Sequence, residues 1–230
     1  MIDGAARRWR AAICALFFCA AYAGFALPKT KAAGTPGEFD YYVLALSWSP
    51  SFCANISGTK KSAQCSGTRP FAFVLHGLWP QYESGWPDYC DTAARPFVPH
   101  NLINSMLDIM PARGLVIHQY KKHGVCSGLD PEHYFRAARE AFERIKIPAR
   151  YLSPRKPVII SPREIENDFL KTNQALTPDM ISIACGRNKR LREVRICFSN
   201  ELRLTPCGAN ERQEKLCRMN KVIMPPVRGQ

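Results

Sequence analysis

Two histidines and two lysines crowd into Ile117-His-Gln-Tyr-Lys-Lys-His-Gly-Val-Cys126, and another histidine, His76, sits inside Phe71-Ala-Phe-Val-Leu-His-Gly-Leu-Trp-Pro-Gln81. On a helix of about 100° per residue, His118 and Lys122 fall within roughly 40° of one another, as do Gln119 and His123, so four polar groups share one broad face. Two imidazoles with ammonium groups suit cleavage of an RNA phosphodiester by its own ribose 2′-hydroxyl. One histidine takes the hydroxyl proton, the other gives a proton to the departing 5′-oxygen, and Lys122 and His118 stabilise charge on the phosphorane. This chemistry needs neither metal nor cofactor. The motifs hold no carboxylate cluster suited to magnesium, and histidines separated as His118 and His123 are, with an adjacent lysine, make a poor zinc set.

The elements around these residues must hold them still. Phe71 to Leu75 reads as a short buried strand that reaches a Gly-containing turn at His76, giving the imidazole a rigid support. Gly77 allows close approach of backbone or ligand, Trp79 offers a flat π face, and Pro80 fixes the chain direction. Helices are predicted over 102–110, 116–123, 131 to about 145 with Asp130 as N-cap, and from Ser161 to about Leu170. In the last, Ser161 and Glu164 have capping-box spacing. Gly124 would end the second helix, and Cys126 could pin it covalently. Tyr41 to Trp48 reads as a first buried strand stopped by Pro50, and Cys53 and Cys65 bracket a polar loop. Tyr82 to Tyr89 is an irregular loop beside the site. Met180 to Cys185 and Glu193 to Phe198 alternate as a hairpin. The pattern predicts an α+β single domain: a central, largely antiparallel sheet with flanking helices.

Composition sets the compartment and the class of partner. Arg7, Arg8 and Arg10 precede an apolar run from Ala11 to Ala23, so residues 1–26 read as a secretory signal peptide, followed by a flexible N-terminus over 27–37 and a domain over 38–230. Of ten cysteines, Cys14 and Cys19 go with the leader and eight remain, an even number in a chain bound for an oxidising compartment. Disulfides are expected; spacing alone leaves their pairing open. The formal net charge is +13, and losing the leader's one aspartate and three arginines leaves +11. Such an excess favours polyanions through long-range attraction and counterion release, and identifies no reaction.

Together FVLHGLWPQ and IHQYKKHGVC resemble the two signature segments of the T-two family of ribonucleases, secreted base-nonspecific enzymes related to plant self-incompatibility ribonucleases. The resemblance extends from Tyr41 to Cys217. It implies that His76 acts as general acid and His123 as general base, with His118 and Lys122 binding phosphate and Trp79 packing beside the site. It also implies an α+β fold and disulfides Cys90 to Cys126, Cys185 to Cys217 and Cys197 to Cys207, with Cys53 to Cys65 local. Members cleave single-stranded RNA through a 2′,3′-cyclic phosphate, usually in acid. Bases would stack on Trp79, Tyr82 or Trp86. The chain departs from the signature at Gln119, where glutamate is usual, at Tyr120 in place of tryptophan and at Val125 in place of threonine. Loss of the carboxylate makes the His123 imidazolium less favoured, while Gln119 can still hydrogen-bond phosphate.

These readings predict a secreted or periplasmic endoribonuclease, monomeric and free of the membrane once the leader is cleaved. The competing readings are a catalytically weakened RNA- or polyanion-binding protein on the same fold, and a metal-dependent nuclease that a chelator would inhibit.

Overall fold

Strict alternation in β1 (Tyr41–Trp48) sends Tyr42, Leu44, Leu46 and Trp48 to one face and Tyr41, Val43 and Ala45 to the other, and both sets are buried. A strand buried on both faces belongs in the middle of a sheet. In the computed structural model, which describes residues 34–56, 62–66 and 69–227, β1 pairs antiparallel with β2 (Phe73–Gln81) and with β5 (Leu191–Phe198). β5 in turn pairs antiparallel with β4 (Ile181–Cys185), giving the order β2-β1-β5-β4. A small second sheet joins β3 (Val158–Ile160) to β6 (Val222–Met224).

The expected signal peptide and residues 27–33 lie outside the described residues. Gly37, within the stretch expected to be flexible, donates its amide to the Cys126 carbonyl at 2.9 Å.

The larger apolar core lies between one face of the sheet and the helices. The helices are α1 (Ser49–Asn55), α2 (Ala63–Ser66), α3 (His100–Met106), α4 (Arg113–Lys122), α5 (Pro131–Glu143), α6 (Pro162–Thr172) and α7 (Gln213–Leu216), and α3, α4, α5 and α6 supply the helical side chains of that core. The α5 helix begins as its sequence requires, with the Asp130 carboxylate accepting from the His133 amide and Pro131 at its first position. At α6 both halves of the Ser161/Glu164 capping box form.

Sequence reasoning misplaced several features, among them the helix predicted over 102–110, which runs His100–Met106 and gives way to turns. Pro50 does not merely stop β1; it sits in the first turn of α1, where its missing N–H costs nothing, and Cys53 is therefore helical. The second helix ends at Lys122 with His123 as C-cap, and a 3-10 turn (Gly124–Ser127) carries the chain on to Gly128, which takes the left-handed cap at φ 75°. Gly124 is required for a different reason: a Cβ there would lie 2.4 Å from the Tyr120 ring. The tail after Cys217, which carried no signal, supplies β6, whose Val222 and Met224 are fully buried.

All four expected disulfides form: Cys53–Cys65, Cys90–Cys126, Cys185–Cys217 and Cys197–Cys207. Cys90–Cys126 matters most for the site, because it ties the loop after Tyr82 to the turn just beyond His123.

Candidate active site

His76 does not stand at a strand end. The β1/β2 register pairs Ala45 with Gly77 and Leu46 with Leu75, so His76 is the extra residue of a β-bulge inside β2. The bulge reverses the alternation. Phe73, Leu75 and Leu78 all join the main core, while His76 and Trp79, three residues apart, emerge together on the opposite side, where Trp79 packs with Tyr41, Val43 and Ala45. A second bulge lies in β5, where Ala184 pairs with Glu193 and Cys185 with Leu191, leaving Arg192 as the extra residue.

On this face the side chains form a cleft of about 620 Å³, lined by His76, Trp79, Trp86, His118, Gln119, Lys122 and His123 among others. Trp79 is its hub. Its indole stacks on the His123 ring at 5.3 Å and 28°, meets the His76 ring edge-on at 5.1 Å, and lies under the Arg195 guanidinium at 5.0 Å. The indole N–H donates to Gln119 Oε1 at 2.7 Å. Gln119 is 1% exposed and Trp79 8%. With so little ring accessible, Trp79 spaces the two imidazoles rather than offering a stacking face to a base, and the Gln119 carbonyl oxygen is committed to Trp79.

Gly77 makes this arrangement possible, since a Cβ there would sit 2.2 Å from Gln119 Oε1 and 2.4 Å from Trp79 Nε1. Gly77→Ala should break the indole–amide bond and cost about 1–3 kcal/mol, as overpacking does. Denaturant unfolding measures the loss, and an unchanged midpoint with normal Trp79 fluorescence would refute the packing argument.

Behind His76 stands a residue that sequence reasoning missed. Glu193, 3% exposed, accepts from His76 Nδ1 at 2.7 Å and from Arg195 Nε at 3.1 Å, with Arg192 Nε 3.6 Å away. Burial pushes its carboxyl up, but the His76 hydrogen bond and charge, then Arg195 and Arg192, outweigh burial and hold it well below the usual carboxylate range. An ionised carboxylate only accepts, so His76 Nδ1 carries the hydrogen and Nε2 is left for exchange with substrate. Arg195 also reaches Glu211 at 3.5 Å, and Glu211 accepts from the Tyr41 hydroxyl. The available signal was Leu-Arg-Glu-Val-Arg-Ile, where three charges, Glu193 and Arg195 among them at alternate positions, interrupt an apolar strand.

The other wall comes from α4. His118 is exposed and Lys122 partly so, both facing the cleft from adjacent turns. Partial burial, then the charges of Lys122 and His76, push the His118 imidazole below its ordinary value. Trp86, 45% exposed, lines the cleft from the 82–89 loop, which Asn210 braces by donating to the Tyr82 and Gly85 carbonyls. Tyr82 does not line the cleft; its hydroxyl lies beside Gly34. Among the described residues no group of three or more His, Cys, Asp or Glu side chains is placed to hold a metal ion.

Comparison with known proteins gives this site a family. A model described as the Ribonuclease T2 family matches residues 39–207. A ribonuclease of Aeromonas hydrophila is 34% identical over 172 residues, covering 74% of this chain and 77% of its own. Ribonuclease I of Escherichia coli (strain K12) is 26% identical over 215 residues, covering 76% and 80%. Among solved structures, an RNase-related protein from Calystegia sepium matches with a TM-score of 0.65 at 20% identity, over 83% of this chain and 99% of the other. RNase NT, solved in complex with 5′-AMP, matches with a TM-score of 0.62 at 22% identity, over 82% and 99%. Family and relatives together define an endoribonuclease. The chain belongs to the Ribonuclease T2 family.

Proposed function

We propose that this endoribonuclease cleaves single-stranded RNA, with little base preference and no metal, through a 2′,3′-cyclic phosphate, using His123 as general base and His76 as general acid. The observation that carries the reading is the placement of the two imidazoles against one indole, at 5.1 and 5.3 Å, in a single cleft. A scissile phosphate between them meets a proton acceptor beside the 2′-hydroxyl and a proton donor beside the 5′-oxygen.

The Nδ1 bond to Glu193 aims His76 Nε2 at the leaving group. Lys122 and protonated His118 stabilise charge on the phosphorane. The Gln119 carbonyl oxygen stays with Trp79, so its amide N–H groups are what it can offer a phosphate oxygen. Trp86 supplies a base platform at the rim, and stacking serves every base. The leader-like residues 1–26 and the four disulfides support a secreted or periplasmic protein; the mature domain follows from 38 and acts as a monomer.

Digestion of single-stranded RNA with a chelator present, from about pH 4 to about pH 7, tests the reading. Products should carry 2′,3′-cyclic phosphate ends. Because His118 is held below its ordinary value near 6.5, its positive charge is gained only as the pH falls beneath that value, so kcat/KM should rise toward acid. His118→Asn should flatten that rise. Inactivation by the chelator, 5′-phosphate ends, or tight binding without turnover at every pH would each overturn it.

A further inference from the structure

The catalytic cleft is not the molecule's only concave surface near α4. A second groove of about 400 Å³ has walls that include Tyr89, Asp91, Arg95, Pro96 and Lys121. The two are neighbours: Lys121 lines the groove and Lys122 the cleft, and the Tyr89 ring stands edge-on to the His118 ring at 6.4 Å.

Tyr89 is held in a costly way for little burial. Its φ of 50° lies in the left-handed region that a bulky L-residue rarely adopts, yet 55% of it is exposed, so core packing does not offset the strain. Its amide donates to the Lys122 carbonyl at 2.8 Å, and the next residue is disulfide-bonded to Cys126. Both anchors lead to the segment that carries His123. An aromatic face is thus fixed at the edge of the cleft and left open to solvent. Arg95 is exposed and Lys121 half-buried; against them stands Asp91, and among the described residues neither cation is in an ion pair with a carboxylate.

We propose that this groove is a nucleotide subsite outside the catalytic cleft: Tyr89 stacks a base of the RNA strand beyond the pair that flanks the scissile phosphate, and Arg95 and Lys121 bind that nucleotide's phosphate. The occupant follows from the groove's position next to the cleft and from the excess of positive charge, and it rests on the reading of the cleft as the place where RNA is cut. Stacking on a phenol face tolerates any base, so the subsite lengthens the footprint without adding sequence preference.

The subsite makes long substrates better than short ones, and that difference is what to measure. The kcat/KM values of wild type, Tyr89→Ala, Tyr89→Gly and Tyr89→Phe are compared on a dinucleoside monophosphate and on a single-stranded oligoribonucleotide. In Tyr89→Ala and Tyr89→Gly alike, the oligomer-to-dinucleotide ratio should fall about tenfold, and Tyr89→Phe should keep it. Glycine accepts a φ of 50°, so its agreement with alanine assigns the loss to the missing ring and not to backbone strain. In Arg95→Ala combined with Lys121→Ala, the oligomer's log–log salt dependence should become shallower by about 0.7 for each phosphate that the protein no longer neutralises. Equal losses on both substrates, or an unchanged ratio, overturn the subsite. Failure of the wild-type protein to cut even the dinucleotide would instead count against the catalytic reading.

Discussion

His123→Ala should lower kcat for RNA cleavage by about 10²- to 10⁴-fold, and His76→Ala by a similar factor, the range expected for losing one positioned proton-transfer group. The double variant should be little slower than the worse single one, since acid and base act on one transition state and their contributions do not add. The two roles can be separated. With an aryl phosphodiester of the nucleoside 3′-position, the leaving group departs without a proton, so His76→Ala should recover most of its activity while His123→Ala should not. Recovery in the opposite variant would exchange the assignments; recovery in neither would remove the acid–base account. His123 is 7% exposed and stacked on Trp79, so its removal leaves a hole beside the indole. Circular dichroism and the unfolding midpoint of each variant keep a folding defect from passing as a catalytic one.

Glu193→Gln should have the next largest effect, about 100-fold in kcat, because an amide can hold His76 in the wrong tautomer. It should also destabilise the fold, by less than the roughly 3–5 kcal/mol that follows full loss of a buried ion-pair partner, since the Arg195 guanidinium loses its nearer carboxylate and keeps the 3.5 Å contact with Glu211. The sign of the pH dependence follows from the direction of the Glu193 shift. Its folded-state carboxyl is held below the unfolded value near 4.3, so its contribution is fully present above that value and is lost as the pH falls through the depressed one. Wild-type stability should therefore drop between about pH 4.3 and the strongly acid range, and the glutamine variant should show a flatter curve there. Denaturant titrations at several pH values, with kcat measured in parallel, decide this. Parallel stability curves with unchanged kcat would show Glu193 to be a bystander.

Much of the fold was legible because its signals are local. β1 shows in its β-branched and aromatic run, α5 and α6 in cap and proline chemistry that acts within four residues, and the late hairpin in its alternation. The segments that escaped notice carry no local signal. β3 and β6, three residues each, pair with one another although α6, β4, β5 and α7 separate them in the chain, and no propensity registers across that separation. Tyr82 and Trp86 look alike in the sequence, as aromatics in one Gly- and Pro-rich loop. Only the packing of that loop, fastened through Asn210, turns Trp86 to the cleft and Tyr82 toward Gly34.

The order of residues along the chain is enough to specify which groups are available for proton transfer: His76 beside an apolar strand, and His118 and Lys122 on α4 with His123 at its C-cap. It is enough, too, for an oxidised, basic α+β protein. How those groups meet depends on the assembled sheet. A strand's two-residue period would send His76 and Trp79 to opposite faces, and only the bulge against β1 brings them to one. Glu193 and Arg195 read in isolation as charges on a solvent-facing strand edge. They are instead buried on the central strand β5, because β1 and β4 flank it and its charged face is closed by Trp79, His76 and Glu211. Pairing partners are chosen by the whole sheet and not by neighbours in the chain, so the network behind His76 became visible only when the strands were side by side.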